Sequence, residues 1–299
     1  MADEPELDKI RKGLEYHLRV HGHGFQYAAL AEIERAREEE GEKKSLWIRE
    51  VAEFPVEVQG AGTRVDFILT LGGHPYWMLV ECKRANPALK NWCFVKAPFV
   101  RRRGDTERYL AEGIGFESRA GRNVLTSYHV RLHTFQKWEP VAHLSVELKT
   151  NEKGEGRTDE IQQAADQIMK GMNGIAEVVR GNDQLIASTK HKILLPVIFT
   201  TARLFFCDAD LSQTELLSGN IDIGSSNIVE HDWIFLQHPV SVGFQHQIPN
   251  KPPDSLSAQL ETEFLRTIPI VNAGKISAFL LAMNNEWFDP RFPTDAYEW

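Results

Sequence analysis

Asp66 and the triplet Glu81-Cys82-Lys83 are the residues of this chain whose types and spacing could carry chemistry. They lie in two runs, 63–71 and 75–84, rich in β-branched and aliphatic residues, with Gly72-Gly73-His74 between them. Such runs read as strands. Side chains alternate along a strand, so Glu81 and Lys83 share one face while Cys82 points the other way. A two-residue Gly-Gly hairpin sets Asp66 opposite Leu79, on the face of Glu81 and diagonal to it. A loop one residue longer would send Asp66 to the other side.

Two carboxylates about 4–5 Å apart repel by several kcal/mol at an effective dielectric near 20, so something must neutralise them. Lys83 could do so as a plain ion-pair partner. Alternatively the acids hold a hard divalent cation, Mg²⁺ or Mn²⁺, which takes oxygen ligands and keeps waters that a substrate can replace. Lys83 would then orient or deprotonate an attacking water, and the cation would stabilise charge at phosphorus.

The segment resembles the PD-(D/E)XK nuclease superfamily, the restriction-endonuclease-like fold, in which an Asp on one strand is followed on the next by Glu-x-Lys. Here these are Asp66, then Glu81-Cys82-Lys83 after 14 intervening residues, with Val65 in place of the usual Pro. The resemblance implies an α/β fold: a restriction-endonuclease-like core with a mixed central sheet flanked by helices and an inserted region after the Glu-x-Lys strand. It implies Asp66 and Glu81 as metal ligands with the Cys82 backbone carbonyl as a third, and Lys83 acting on the water. It also implies a helical Glu before the sheet, for which Glu32 is the choice and Glu34 the rival. Gln163 and Gln167, one turn apart on the helix after the sheet, fit the family's strand-positioning glutamine, Gln167 better. The implied activity is Mg²⁺- or Mn²⁺-dependent hydrolysis of phosphodiester bonds, DNA being favoured, in a defence, restriction or repair role. An RNA-directed nuclease and an inactive binding or scaffold module on the same fold are the alternatives. A homodimer or larger homo-oligomer is compatible with a site that cuts one strand.

The elements that must position these residues can be followed along the chain. Leu7, Ile10, Leu14 and Leu18 recur at helical spacing, and a second helix spans about 26–40 with Ala29, Leu30, Ile33 and Ala36 inward. Strands follow at 47–58, 63–71 and 75–84. Residues 85–140 pattern irregularly, apart from a strand near 124–135. A further strand, 142–149, precedes a long helix over 159–180 with an apolar stripe from Ile161 to Val179. Buried-type strands are expected at 193–200, 204–207 and 233–237, and helices at 256–265 and 275–283 around a strand at 268–271. The economical arrangement is one domain: a core of about 26–84 and 141–207, an insertion of about 85–140, and a C-terminal α/β extension over 208–299. Glu147-Leu148-Lys149 is a rival Glu-x-Lys, but no Asp stands at a comparable distance upstream within an apolar strand, so it is expected at an exposed strand edge.

The chain has 299 residues and a formal net charge of −8, which argues against a general polyelectrolyte binder. The charge is unevenly spread. Lys96 to Lys137 holds nine bases and four acids, whereas Leu204 to Trp299 holds four bases and 13 acids. Phosphate would therefore meet the middle of the chain, where Arg101, Arg102 and Arg103, with Arg84 beside the Glu-x-Lys, are the candidate nucleic-acid contacts. Three scattered cysteines give no metal spacing and favour a reducing compartment. With an acidic N-terminus and no apolar run near 20 residues, the expectation is a cytoplasmic protein that crosses no membrane. No phosphate-loop, nucleophile-elbow or dinucleotide fingerprint occurs.

Overall fold

The computed structural model describes residues 4–20, 22–39, 44–58, 60–72, 76–96, 108–118, 125–134, 140–149, 156–157, 159–180, 191–239 and 265–285. The three consecutive apolar runs form an antiparallel meander, β1 (Trp47–Val58), β2 (Ala61–Leu71) and β3 (Tyr76–Lys83). Phe67, Ile68, Leu69, Met78, Leu79 and Val80 are all buried. That is the continuous apolar pattern of strands covered on both faces. The other side of β3 pairs in parallel with β10 (His191–Thr200), from Tyr76 beside Ile193 to Lys83 beside Thr200.

Two strands share the far edge of β10. β14 (Leu265–Asn272) runs parallel to its C-terminal end, and β5 (Arg108–Ser118) runs antiparallel to its N-terminal end. β6 (Leu125–Thr134) pairs with β5, while β13 (Trp233–Pro239) and β7 (Val141–Ala142) extend the sheet beyond β14. Stretches expected to form an insertion and a C-terminal extension thus supply strands to the central sheet. A second, five-stranded sheet has β4 (Asn91–Val95) at its centre. Beside it lie β8 (Leu144–Leu148) and β9 (Gly156–Arg157) on one side, and β11 (Arg203–Cys207) and β12 (Ile228–His231) on the other. The expected helix over 256–265 falls outside the described residues, except Leu265, which begins β14.

The sheets are mixed and flanked by helices, so the fold is α/β. α2 (His23–Glu38) and α4 (Ile276–Asn285) cover one face of the central sheet, burying Ile33, Phe279 and Leu280 against Phe67, Leu69 and Val80. α3 (Asp159–Arg180) covers the other, and its Ile161, Ile168, Met172 and Ile175 share a core with Leu79, Ile198 and with Trp92 and Phe94 of the second sheet. Full burial of such side chains is worth about 1.5–3 kcal/mol each, so α3 joins both sheets into one body. α1 (Glu4–Val20) forms as its spacing requires, yet Leu7, Ile10, Leu14 and Leu18 stay exposed, Leu14 by 58%. Among the described residues no helix is long and apolar enough to cross a membrane.

The close seat of α3 depends on two glycines. A Cβ on Gly171 would stand 2.7 Å from Val65 Cγ2, and one on Gly174 would stand 2.5 Å from Val56 Cβ. Alanine is intrinsically better in a helix by about 1 kcal/mol, but a clash with a branch point fixed to the backbone outweighs that gain. Gly174→Ala should destabilise the protein by about 1–3 kcal/mol in urea melts. Gly13→Ala in α1, where the added methyl meets open space, should be neutral or stabilising.

Candidate functional site

The β2–β3 ladder pairs Phe67 with Val80 and stops there. Four residues, not two, separate the strands, which shifts the expected register by two residues. That shift preserves parity and brings Asp66 opposite Glu81 instead of Leu79. At this point β2 departs from strict alternation: Val65 packs in the core with α3, and Phe67 in the core with α2 and α4. Asp66 sits at the break. Its Oδ2 accepts the Cys82 N–H at 2.7 Å, taking the place of a β2 carbonyl, and its Oδ1 accepts Gln26 Nε2 at 3.2 Å. In a strand a residue's C=O points to the same side as its N–H, so the Cys82 carbonyl also faces the Asp66 side.

A cavity of about 690 Å³ opens here. It is lined by Asp66, Glu81, Cys82, Lys83 and Arg84 from the hairpin, Glu53 from β1, Thr63 and Arg64 from β2, Gly22, His23 and Gln26 from the start of α2, and Gln167 from α3. Glu81 is only 4% exposed, and its Oε2 is buried without a hydrogen-bond partner. Burial and then the nearby Asp66 push the Glu81 carboxyl well above its usual range, with Lys83 opposing. Burial likewise raises Asp66 to about 6, against the Cys82 hydrogen bond that favours its charged form. Burial, Asp66 and Glu81 drive the Cys82 thiol well up, which makes it a poor nucleophile.

Most of the expected residues converge. Asp66, Glu81, Lys83, Arg84 and Gln167 line one cavity; Gln163 lines a neighbouring one of about 640 Å³, which shares Gly62, Thr63 and Gln167 with the first. Glu32 does not join them. It forms a two-point pair with Arg35, at 2.6 and 3.0 Å, and accepts the Ser277 hydroxyl from α4, and these bonds lower its pKa. Glu34, the rival, pairs with Arg37 and Arg49. The α2 side chain that reaches Asp66 is Gln26, one helical stretch earlier. Arg101, Arg102 and Arg103 lie outside the described residues.

Glu147 is not at an exposed edge, as expected, but fully buried inside the second sheet. Its carboxylate accepts the backbone N–H groups of Glu160 and Ile161, capping the start of α3. It is therefore committed to a structural bond. Glu53, His23, Gln26 and Arg64 are among the cavity residues that were not expected from the sequence. Gln26 carries a weak signal, as a polar residue on the otherwise apolar inner side of α2. Glu53 carries none, because its backbone holds φ at +52° within a strand. That left-handed conformation is an uncommon one for a residue other than glycine and costs on the order of 1–3 kcal/mol.

Among the described residues no three His, Cys, Asp or Glu side chains stand close enough together to hold an ion among themselves. Two carboxylates with a backbone carbonyl on the same side, one oxygen of them orphaned in a buried wall, still fit a hard cation that keeps several waters. Without such an ion the pair has an acid–base signature. Unfolded Asp66 gives up its proton near 3.8 and folded Asp66 near 6, so between these values the folded protein holds the extra proton. Asp66 therefore lowers stability as pH rises from about 4 through 6, and the loss persists above. In urea melts with EDTA, Asp66→Asn should flatten that slope and stabilise the protein at pH 7 by on the order of 1–3 kcal/mol. Comparison with known proteins finds no matching family model, curated relative or solved structure, so the reading of this cavity rests on its own side chains.

Proposed function

We propose that the chain is a divalent-metal-dependent nuclease that hydrolyses phosphodiester bonds, with DNA as the favoured substrate, on the pattern of the PD-(D/E)XK superfamily. The observation that carries this reading is the meeting of Asp66, Glu81 and Lys83 in one cavity where a Glu81 oxygen is buried and unpartnered. A buried anionic pair is costly unless a cation settles it. Asp66, Glu81 and the Cys82 carbonyl would hold Mg²⁺ or Mn²⁺, which when bound supplies Lewis acidity toward a phosphoryl oxygen and acidifies water.

The remaining roles belong to the chain's own groups. Gln26 and the Cys82 N–H fix the Asp66 carboxylate at both oxygens, so its orientation does not depend on the ligand. Lys83 lies two residues past Glu81, next to the cavity, where its Nζ can orient the attacking water and hold a proton. Arg64 from β2, Arg84 just past β3 and Gln167 from α3 offer donors to phosphate oxygens.

Plasmid nicking with Mg²⁺ or Mn²⁺ tests the proposal, with single- and double-stranded DNA and RNA compared side by side. Asp66→Ala should abolish cleavage, and Lys83→Ala should reduce it about 10²–10⁴-fold, the range of a lost general acid–base group. Gln26→Ala should slow cleavage more than Glu32→Ala, since only Gln26 touches Asp66. Absence of metal-dependent cleavage of every substrate would remove the enzymatic reading, and preferential cleavage of RNA would reassign the substrate.

A further inference from the structure

We propose that Glu53 is a third carboxylate of this site, acting through water on the cation that Asp66 and Glu81 would hold. The inference rests on the metal reading above but assigns a residue which that reading does not use. The β1–β2 ladder pairs Ala52 with Phe67 and Phe54 with Val65, so Glu53 falls opposite Asp66, and no backbone pair forms at that step. Glu53 is the only non-glycine with positive φ among the described residues. Glycine or asparagine would take that conformation more readily, so the strand geometry alone gives no reason for a glutamate there.

Its side chain gives one. Glu53 lines the cavity together with Asp66 and Glu81, and its charge is among those that disfavour ionisation of Asp66. The independent sign that a cation belongs here is the Glu81 Oε2, buried, without a partner, in the same wall. The Glu53 carboxylate meets Arg64 only at 3.7 Å, in a pair whose side chains are 39% and 63% exposed. A contact so solvated leaves the carboxylate able to turn toward an ion. Since no three acids among the described residues converge closely enough to bind one ion directly, Glu53 reaches it through a water, as Mg²⁺ and Mn²⁺ sites allow. A left-handed glutamate in the same lining as the half-buried Asp66 and the buried Glu81 thus trades backbone comfort for negative charge in the cavity.

Mn²⁺ binding to the full chain, followed by isothermal titration calorimetry at pH 7.5, tests this directly and needs no nucleic acid. Glu53→Gln and Glu53→Gly should each weaken Mn²⁺ about 10-fold or more, as loss of an outer-sphere partner does. Glu53→Gly should also melt at or above the wild-type temperature, because it relieves the strained backbone, and that separates a binding loss from a folding loss. Glu57→Gln, on the same strand outside the cavity, should leave the affinity unchanged. If the wild type binds Mn²⁺ and Glu53→Gln binds it within twofold, the role of Glu53 is overturned while the metal reading survives. If the wild type itself binds no Mn²⁺, the metal reading falls first and Glu53 with it.

Discussion

Asp66 and Glu81 meet where the β2–β3 ladder ends, and burial sets each of them against ionisation. Much of the surrounding structure can be understood as a response to that conflict. The Cys82 N–H and the Gln26 amide support the charged form of Asp66, and Lys83 partly offsets the charge on Glu81. These donors lessen the penalty without removing it, since both carboxyls remain shifted toward the neutral form. A fold that kept two such groups for packing alone would gain more from apolar replacements of similar size. The unsatisfied oxygen on Glu81 is therefore the feature that separates this cavity from an ordinary solvated cleft.

The position of that pair is fixed from several directions. α3 approaches the sheet closely because Gly171 and Gly174 leave room for Val65 and Val56, and this sets Gln167 at the cavity wall. The start of the same helix is tied to the second sheet by the buried Glu147 carboxylate, which satisfies two of its free N–H groups. The second sheet thus helps to define the site without contributing a residue to its lining. On the opposite face, α2 brings Gln26 to Asp66 from a helix whose N-cap is Gly22, with φ at +77° and no side-chain cap.

How far the sequence could lead depended on the kind of signal. The meander, the long helix and the strand at β10 were legible because their apolar patterns run unbroken for several residues. Asp66, Glu81 and Lys83 were singled out by alternation together with their spacing, and they line one cavity. Parity survived a wrong turn length only because the connection was longer by two residues, an even number. Glu32 was misplaced because helical periodicity says which side chains face inward but not which turn lies over a given strand end. Arg35 and Ser277, from a helix more than two hundred residues later, compete for it. Glu147 misled for a related reason, since a buried cap and an exposed acid look alike in one dimension. The left-handed backbone at Glu53 left no trace in residue type at all.

The parallel pairing of β3 with β10 joins segments more than a hundred residues apart in the chain. The β2–β3 hairpin can form early, from neighbouring residues, but α3 and β10 come later in synthesis and have to dock across that long loop. Until they do, the carboxyls of Asp66 and Glu81 belong to a hydrated hairpin and titrate as ordinary acids. Their mutual conflict arises when that docking removes water from around them. The electrostatic character of the cavity is thus a property of the completed fold, and a nascent or partly unfolded chain carries the residues without the site.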